Sequence, residues 1–117
     1  MVYIMIEQSD REKLIIEALN EIAEQMGNSF YHPISLGLLC LNLGISNDDK
    51  EKIFVQLHKV LQENDFDSLN FQLFKDAISQ VYPQSEEFSD LVISALLKAY
   101  AKNMIPELFP FTEYLDD

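Results

Sequence analysis

The sequence predicts an all-α fold: a single compact bundle of about five helices with a short Pro/aromatic/acidic C-terminal tail. Two observations carry this. Apolar residues recur at three- and four-residue spacing in successive segments, the signature of amphipathic helices. Three Gly and four Pro in 117 residues leave little turn chemistry for a β-sandwich or barrel. The one strand-like run, Val2–Tyr3–Ile4–Met5–Ile6, has no evident partner strand and reads better as an apolar segment lying on the bundle. The chain divides into an N-terminal segment (1–8), a helical core (9–103) and the tail (104–117), all within one domain.

The first helix is expected from Ser9, which with Glu12 forms an S-x-x-E capping box. Its stripe of Ile15, Leu19, Ile22 and Met26, flanked by Ile16, Ala18 and Ala23, is expected to face the core. Glu17, Glu21 and Glu24 point outward, and Gly27–Asn28 ends the helix. The second helix follows in His32–Gly44, with Pro33 in the first position and Gly44 just past the end. Ile34, Leu36, Leu38, Leu39, Cys40, Leu41 and Leu43 surround its axis, and no charge occurs between Gly27 and Asn47. A short helix that is apolar all round is expected in the interior, with the rest of the chain organised around it. Gly37 within it predicts a neighbouring helix crossing closely. Phe30 and Tyr31, just before the proline, are expected in extended geometry.

Ser46 caps a third helix whose first turn carries Asp48 and Asp49, the acidic side of the dipole. Its buried stripe is Ile53, Phe54, Leu57, Val60 and Leu61. A fourth helix is expected after Asp67 or Ser68, with Asp67 as cap, running to about Val81 through Phe71, Phe74, Ala77 and Ile78. Tyr82–Pro83 stops it. A fifth helix from Ser85, with Glu86 and Glu87 in its first turn, presents Phe88, Leu91, Val92, Ala95, Leu96, Ala99 and Tyr100. In the tail, Pro106 and Pro110 preclude a long helix but allow a turn over Pro106–Phe109. Phe109 and Phe111 are expected to dock on the bundle, leaving Tyr114 and the terminal acids as candidate contacts.

No catalytic constellation emerges. The only histidines, His32 and His58, read as a residue bonding locally before a helix and a half-buried structural histidine. No serine sits in a nucleophile elbow. Asp65-Phe-Asp67, with Asp76 at the twelfth position, loosely resembles a calcium loop. Leu69 and Asn70 stand where a ligand and the turn glycine belong, so no metal is expected. The single Cys40 reads as core packing in a reducing cytoplasm. The start MVYIMIEQSD has neither a basic region nor a small-residue cleavage site, so no signal peptide is expected, and Met5 is an alternative start. The three glycines lie apart and build no phosphate loop. No cofactor and no enzymatic activity are expected.

The informative number is the charge: 20 acidic against 8 basic residues, net −12. Such a chain repels nucleic-acid backbones and anionic membranes. It is suited either to solubility alone or to steering towards a basic partner. The candidate partner contacts are Asp48, Asp49, Glu86, Glu87, Glu113, Tyr114, Asp116 and Asp117. With its acidic clusters Asp48–Asp49 and Glu86–Glu87 and the tail FTEYLDD, this small acidic helical chain resembles the helical immunity proteins of bacterial toxin systems, including those of contact-dependent growth inhibition. The resemblance implies a cytoplasmic antitoxin-like inhibitor, monomeric or weakly dimeric when free, that neutralises a basic, often nuclease, toxin domain in a tight complex. The alternative is a helical regulatory adaptor or effector chaperone that binds an amphipathic segment. That alternative predicts a larger exposed apolar patch and homodimerisation.

Overall fold

The computed structural model describes residues 8–29, 31–113 and Leu115. The Val2–Ile6 segment, Phe30, Tyr114, Asp116 and Asp117 lie outside the described residues. Among the described residues six α-helices follow in order: α1 (Gln8–Gln25), α2 (Leu36–Leu43), α3 (Asn47–Glu63), α4 (Phe71–Val81), α5 (Asp90–Asn103) and α6 (Phe109–Thr112). Short 3₁₀ turns at Phe66–Ser68, Pro83–Glu87 and Pro106–Leu108 link the later ones. Among the described residues there is no strand, and no helix is long and apolar enough to cross a membrane.

The centre of the molecule is α5 rather than α2. Ile93, Ala95, Leu96, Leu97, Ala99, Tyr100 and Ala101 are all buried, so most of this helix is enclosed, with only the face of Leu91, Ser94, Lys98 and Lys102 reaching solvent. Three of the seven are alanines, which lets neighbouring helices approach closely. Its start is set by Ser89, whose hydroxyl accepts from the Val92 N–H. The expected start at Ser85 is therefore corrected. Proline at position 83 diverts the chain into a 3₁₀ turn first, so Glu86 and Glu87 lie before α5 and not in its first turn.

Helices α3 and α4 form a hairpin through the short Phe66–Ser68 connection. Ile53 and Leu57 pack with Phe74, Ala77 and Ile78 in its interior. Ser46 caps α3 as expected, accepting from the Asp49 N–H at 3.1 Å. The cap of α4 is Asn70, bonded to the Leu73 N–H, and not Asp67, which the 3₁₀ turn absorbs. Tyr100 ties the hairpin to α5: its buried hydroxyl donates to the Lys50 carbonyl at 2.8 Å. An exposed Lys75–Asp90 ion pair at 2.8 Å adds a second link.

The C-terminal segment is part of the fold. Ile105, Leu108 and Thr112 are buried, and the Phe111 ring lies 4.9 Å from that of Phe74. The turn expected over Pro106–Phe109 is present and runs on into α6. Phe111 docks as expected. Phe109 does not; it is 46% exposed.

Candidate docking face

The largest departure from the expected fold is at α1. The helix already contains Gln8 and Ser9, so Ser9 is inside the helix and not its cap. Its main neighbour is α2. At 3.6 residues per turn, Ile16, Asn20 and Ala23 fall on the side towards α2, and only Ala23 among them is buried. A reciprocal amide pair clips the two helices together. Asn20 Nδ2 donates to Asn42 Oδ1 at 3.1 Å, and Asn42 Nδ2 returns a bond to Asn20 Oδ1 at 2.8 Å. The stripe assigned to the core faces outward: Ile15, Leu19, Ile22 and Met26 are all exposed, Ile22 by 59% and Met26 by 69%, and Leu14 beside them is exposed too.

Helix α2 is correspondingly half-covered. Only Leu36 and Cys40 are buried, while Leu41 is exposed. The expectation of an all-round buried helix is overturned because α5 covers one side of it and α1 meets it along an edge, which leaves Leu41 in water. The helix begins at Leu36, capped by Ser35, so Pro33 lies before it and not at its first position. Gly44 ends it in the left-handed conformation (φ 77°), as read from the sequence. Gly37 is not a close crossing point. A side chain there would meet only the Ser35 hydroxyl, at 3.8 Å.

Between α1 and α2 runs an apolar groove of about 390 Å³, floored by Ile34, Leu38 and Gly37 and walled by Leu19, Ile22, Met26 and Leu41. Gly37 and Leu41 also border a smaller hollow that reaches Ser46, Asn47 and Lys50. The apolar face thus continues to the acidic start of α3. Pairing of α3 with α4 brings that start to the same end of the hairpin as the Pro83–Glu87 turn. Burial raises the pKa of the Tyr82 phenol, and the nearby charge of Asp49 adds to it. Asp48, Glu86 and Glu87 are exposed and Asp49 half-exposed, so four of the sequence-selected acids share one end.

Glu113 lies elsewhere. It borders a wider cleft of about 550 Å³ with Lys98, Lys102, His32 and Phe109. Lys98 Nζ donates to the Tyr31 carbonyl at 3.2 Å across this cleft. Tyr114, Asp116 and Asp117 fall outside the described residues.

The remaining chemistry-bearing side chains are dispersed. His58 is exposed and not half-buried; it stacks on Phe54 with centroids 6.0 Å apart and meets Gln62 at 3.2 Å. His32 is exposed, and its backbone N–H donates to Ser29 Oγ at 3.1 Å. Asp65 precedes the 3₁₀ turn and Asp67 lies within it, both in solvent, while Asp76 accepts from Gln72. Among the described residues no three His, Cys, Asp or Glu side chains gather where they could hold a metal ion. Cys40 is buried, and loss of hydration pushes its thiol pKa up against the smaller opposing effect of Lys50. No family model matches the chain, and no curated protein or solved structure matches it.

Apart from Leu14, the exposed apolar residues of α1 are the very ones assigned to the core from the sequence. The signal was present in the width of the stripe. Leu14, Ile15, Ile16, Ala18, Leu19, Ile22, Ala23 and Met26 span more of α1 than one short neighbouring helix can cover.

Proposed function

We propose that this chain is a helical adaptor or chaperone that holds an amphipathic segment of another protein on the α1–α2 face. One observation carries the reading: the apolar side of α1 is uncovered and opens onto a groove lined by α2. Helix-in-groove recognition uses such a surface, with anchors spaced three and four residues apart entering it. Glu12 and Glu21 stand at its margins, and the acidic start of α3 closes one end. A segment with basic residues flanking its apolar stripe fits this setting best. The single, buried thiol is in keeping with a cytoplasmic location. No catalytic step is proposed.

The test is site-specific photo-crosslinking in cells, with the reactive residue placed at Ile22 or, as control, at Glu17 on the charged back of α1. An adduct confined to position 22 and mapping to a basic amphipathic segment of another protein supports the reading. Equal adducts at both positions, or none, refute it.

A second reading, neutralisation of a basic toxin by an immunity-type complex, is favoured by the gathering of Asp48, Asp49, Glu86 and Glu87 at one end of the hairpin. It assigns affinity to that end. Charge reversal of these four should slow association with the partner most at low salt, while Ile22→Lys leaves the complex intact. The opposite pattern returns the function to α1.

A further inference from the structure

The arrangement of charge on α1 says more about what covers it. The helix divides into three arcs at about 100° per residue. Ile16, Asn20 and Ala23 face α2. Asp10, Lys13, Glu17, Glu21 and Glu24 share the charged back. The remaining arc, roughly 140° wide by the same periodicity, holds Leu14, Ile15, Ala18, Leu19, Ile22 and Met26 together with Arg11 and Gln25. In a chain with 20 carboxylates that arc contains none; Glu12, beside Leu19, and Glu21, beside Leu14, mark its two edges.

We infer that the α1 faces of two copies of this chain pair antiparallel, forming an isologous dimer that is the resting state of the docking face. Ile15, Leu19, Ile22 and Met26 are spaced four, three and four apart, the seam of a two-helix packing. The positions beside that seam are Arg11, Ile16, Ala18, Ala23 and Gln25, and Glu12 continues it at the N-terminal end, so a second copy meets one carboxylate and no line of like charges. Antiparallel pairing about a two-fold axis beside Ala18 sets Ile15 against the other copy's Ile22, and the Arg11 stem over the other copy's Met26. Parallel pairing would instead bring Arg11 against Arg11 and Glu12 against Glu12.

The area is sufficient. Six large side chains, Leu41 included, each leave about half their surface in water, on the order of 600 Å² together, the upper end of what monomers expose. With Ala18, Arg11 and Gln25 at its edges, this approaches the roughly 800 Å² per partner of a standard interface. Pairing also gives α1 the tertiary cover that a helix of its length ordinarily needs.

This inference shares its surface with the adaptor reading, but it is tested on the purified chain alone. Sedimentation equilibrium should give a dimer whose association strengthens with salt, because screening weakens the repulsion between two chains of net charge −12. Ile22→Lys should raise the dissociation constant roughly tenfold or more while leaving the circular dichroism unchanged. Under mild oxidation Ala18→Cys, beside the two-fold axis, should crosslink readily and Met26→Cys should not. A monomer at millimolar concentration and high salt overturns the inference, as does a dimer insensitive to Ile22→Lys, or crosslinking through Met26→Cys in preference to Ala18→Cys. A monomer that still gives the position-22 adduct in cells removes the dimer and keeps the adaptor; a dimer without that adduct does the reverse.

Discussion

Replacing Tyr100 by Phe separates two contributions that one side chain makes to stability. The ring stays and the core volume is nearly unchanged, but the 2.8 Å bond to the Lys50 carbonyl is lost. That carbonyl lies in the first turn of α3 and keeps its helical partner, so the cost should be that of one buried hydrogen bond, about 1 kcal/mol. At a urea dependence of about 1–3 kcal/mol per molar, the unfolding midpoint should fall by roughly 0.3–1 M. The second contribution is to pH dependence. Burial is the main cause that raises the Tyr100 pKa far above its ordinary value, with Cys40 and Glu51 adding to it. An unfolded tyrosine ionises near pH 10. Above that pH the unfolded chain loses a proton that the folded chain retains, so stability falls by about 1.4 kcal/mol per pH unit for this group. Below that pH the contribution is fully present. Urea titrations of both forms between neutral pH and the alkaline limb read both effects. The Phe variant should be weaker at neutral pH yet lose stability less steeply as pH rises, with Tyr82 and Cys40, whose pKa values are also raised, contributing to the slope that remains. Equal midpoints at neutral pH and parallel alkaline limbs would refute the assignment of Tyr100 as a buried, bonded link between α5 and α3.

The other expectations can be read on the same protein. Leu108→Ala should cost about 2–5 kcal/mol in urea denaturation, because its side chain is fully buried; a change under 0.5 kcal/mol would mean that the C-terminal segment is an appendage. Ile93→Ala should cost a similar amount, whereas Ile22→Gln should shift the stability of the monomer by no more than about 0.5 kcal/mol, measured at dilutions where dimer is absent. Cys40 should react with an alkylating reagent near neutral pH only through unfolding, so its labelling rate should follow denaturant; rapid labelling of the native protein would contradict a buried thiol with a raised pKa.

Helix existence was legible because it depends on local rules. Ser46 and Gly44 act as the cap and terminator their chemistry implies, and the stripe of α3 packs as its spacing demands. Element starts failed where two signals competed. Pro83 could close one helix or open the next, and it opened a 3₁₀ turn; Asp67 and Asn70 were both capping residues, and Asn70 prevailed. The tail's buried Leu108 was hidden by the prolines around it, which forbid a long helix without forbidding a docked turn. Of the candidate site, the acidic clusters were visible as residues, but their sharing one end of the hairpin was not. It follows from the antiparallel return of α4, a tertiary relation that no local window contains.

The misassignment of α1 has a general cause. Periodicity reports that a helix has an apolar face, and says nothing about whether that face is buried by its own chain or by another. Here the composition of the faces decides more than their period. The buried side of α5 is rich in alanine, which serves close packing within one chain. The exposed side of α1 carries large side chains and excludes every carboxylate of an otherwise acidic chain. Large apolar side chains held in water beside an open groove, with the carboxylates Glu12 and Glu21 only at its margins, are the strongest reason to read α1 as an interface.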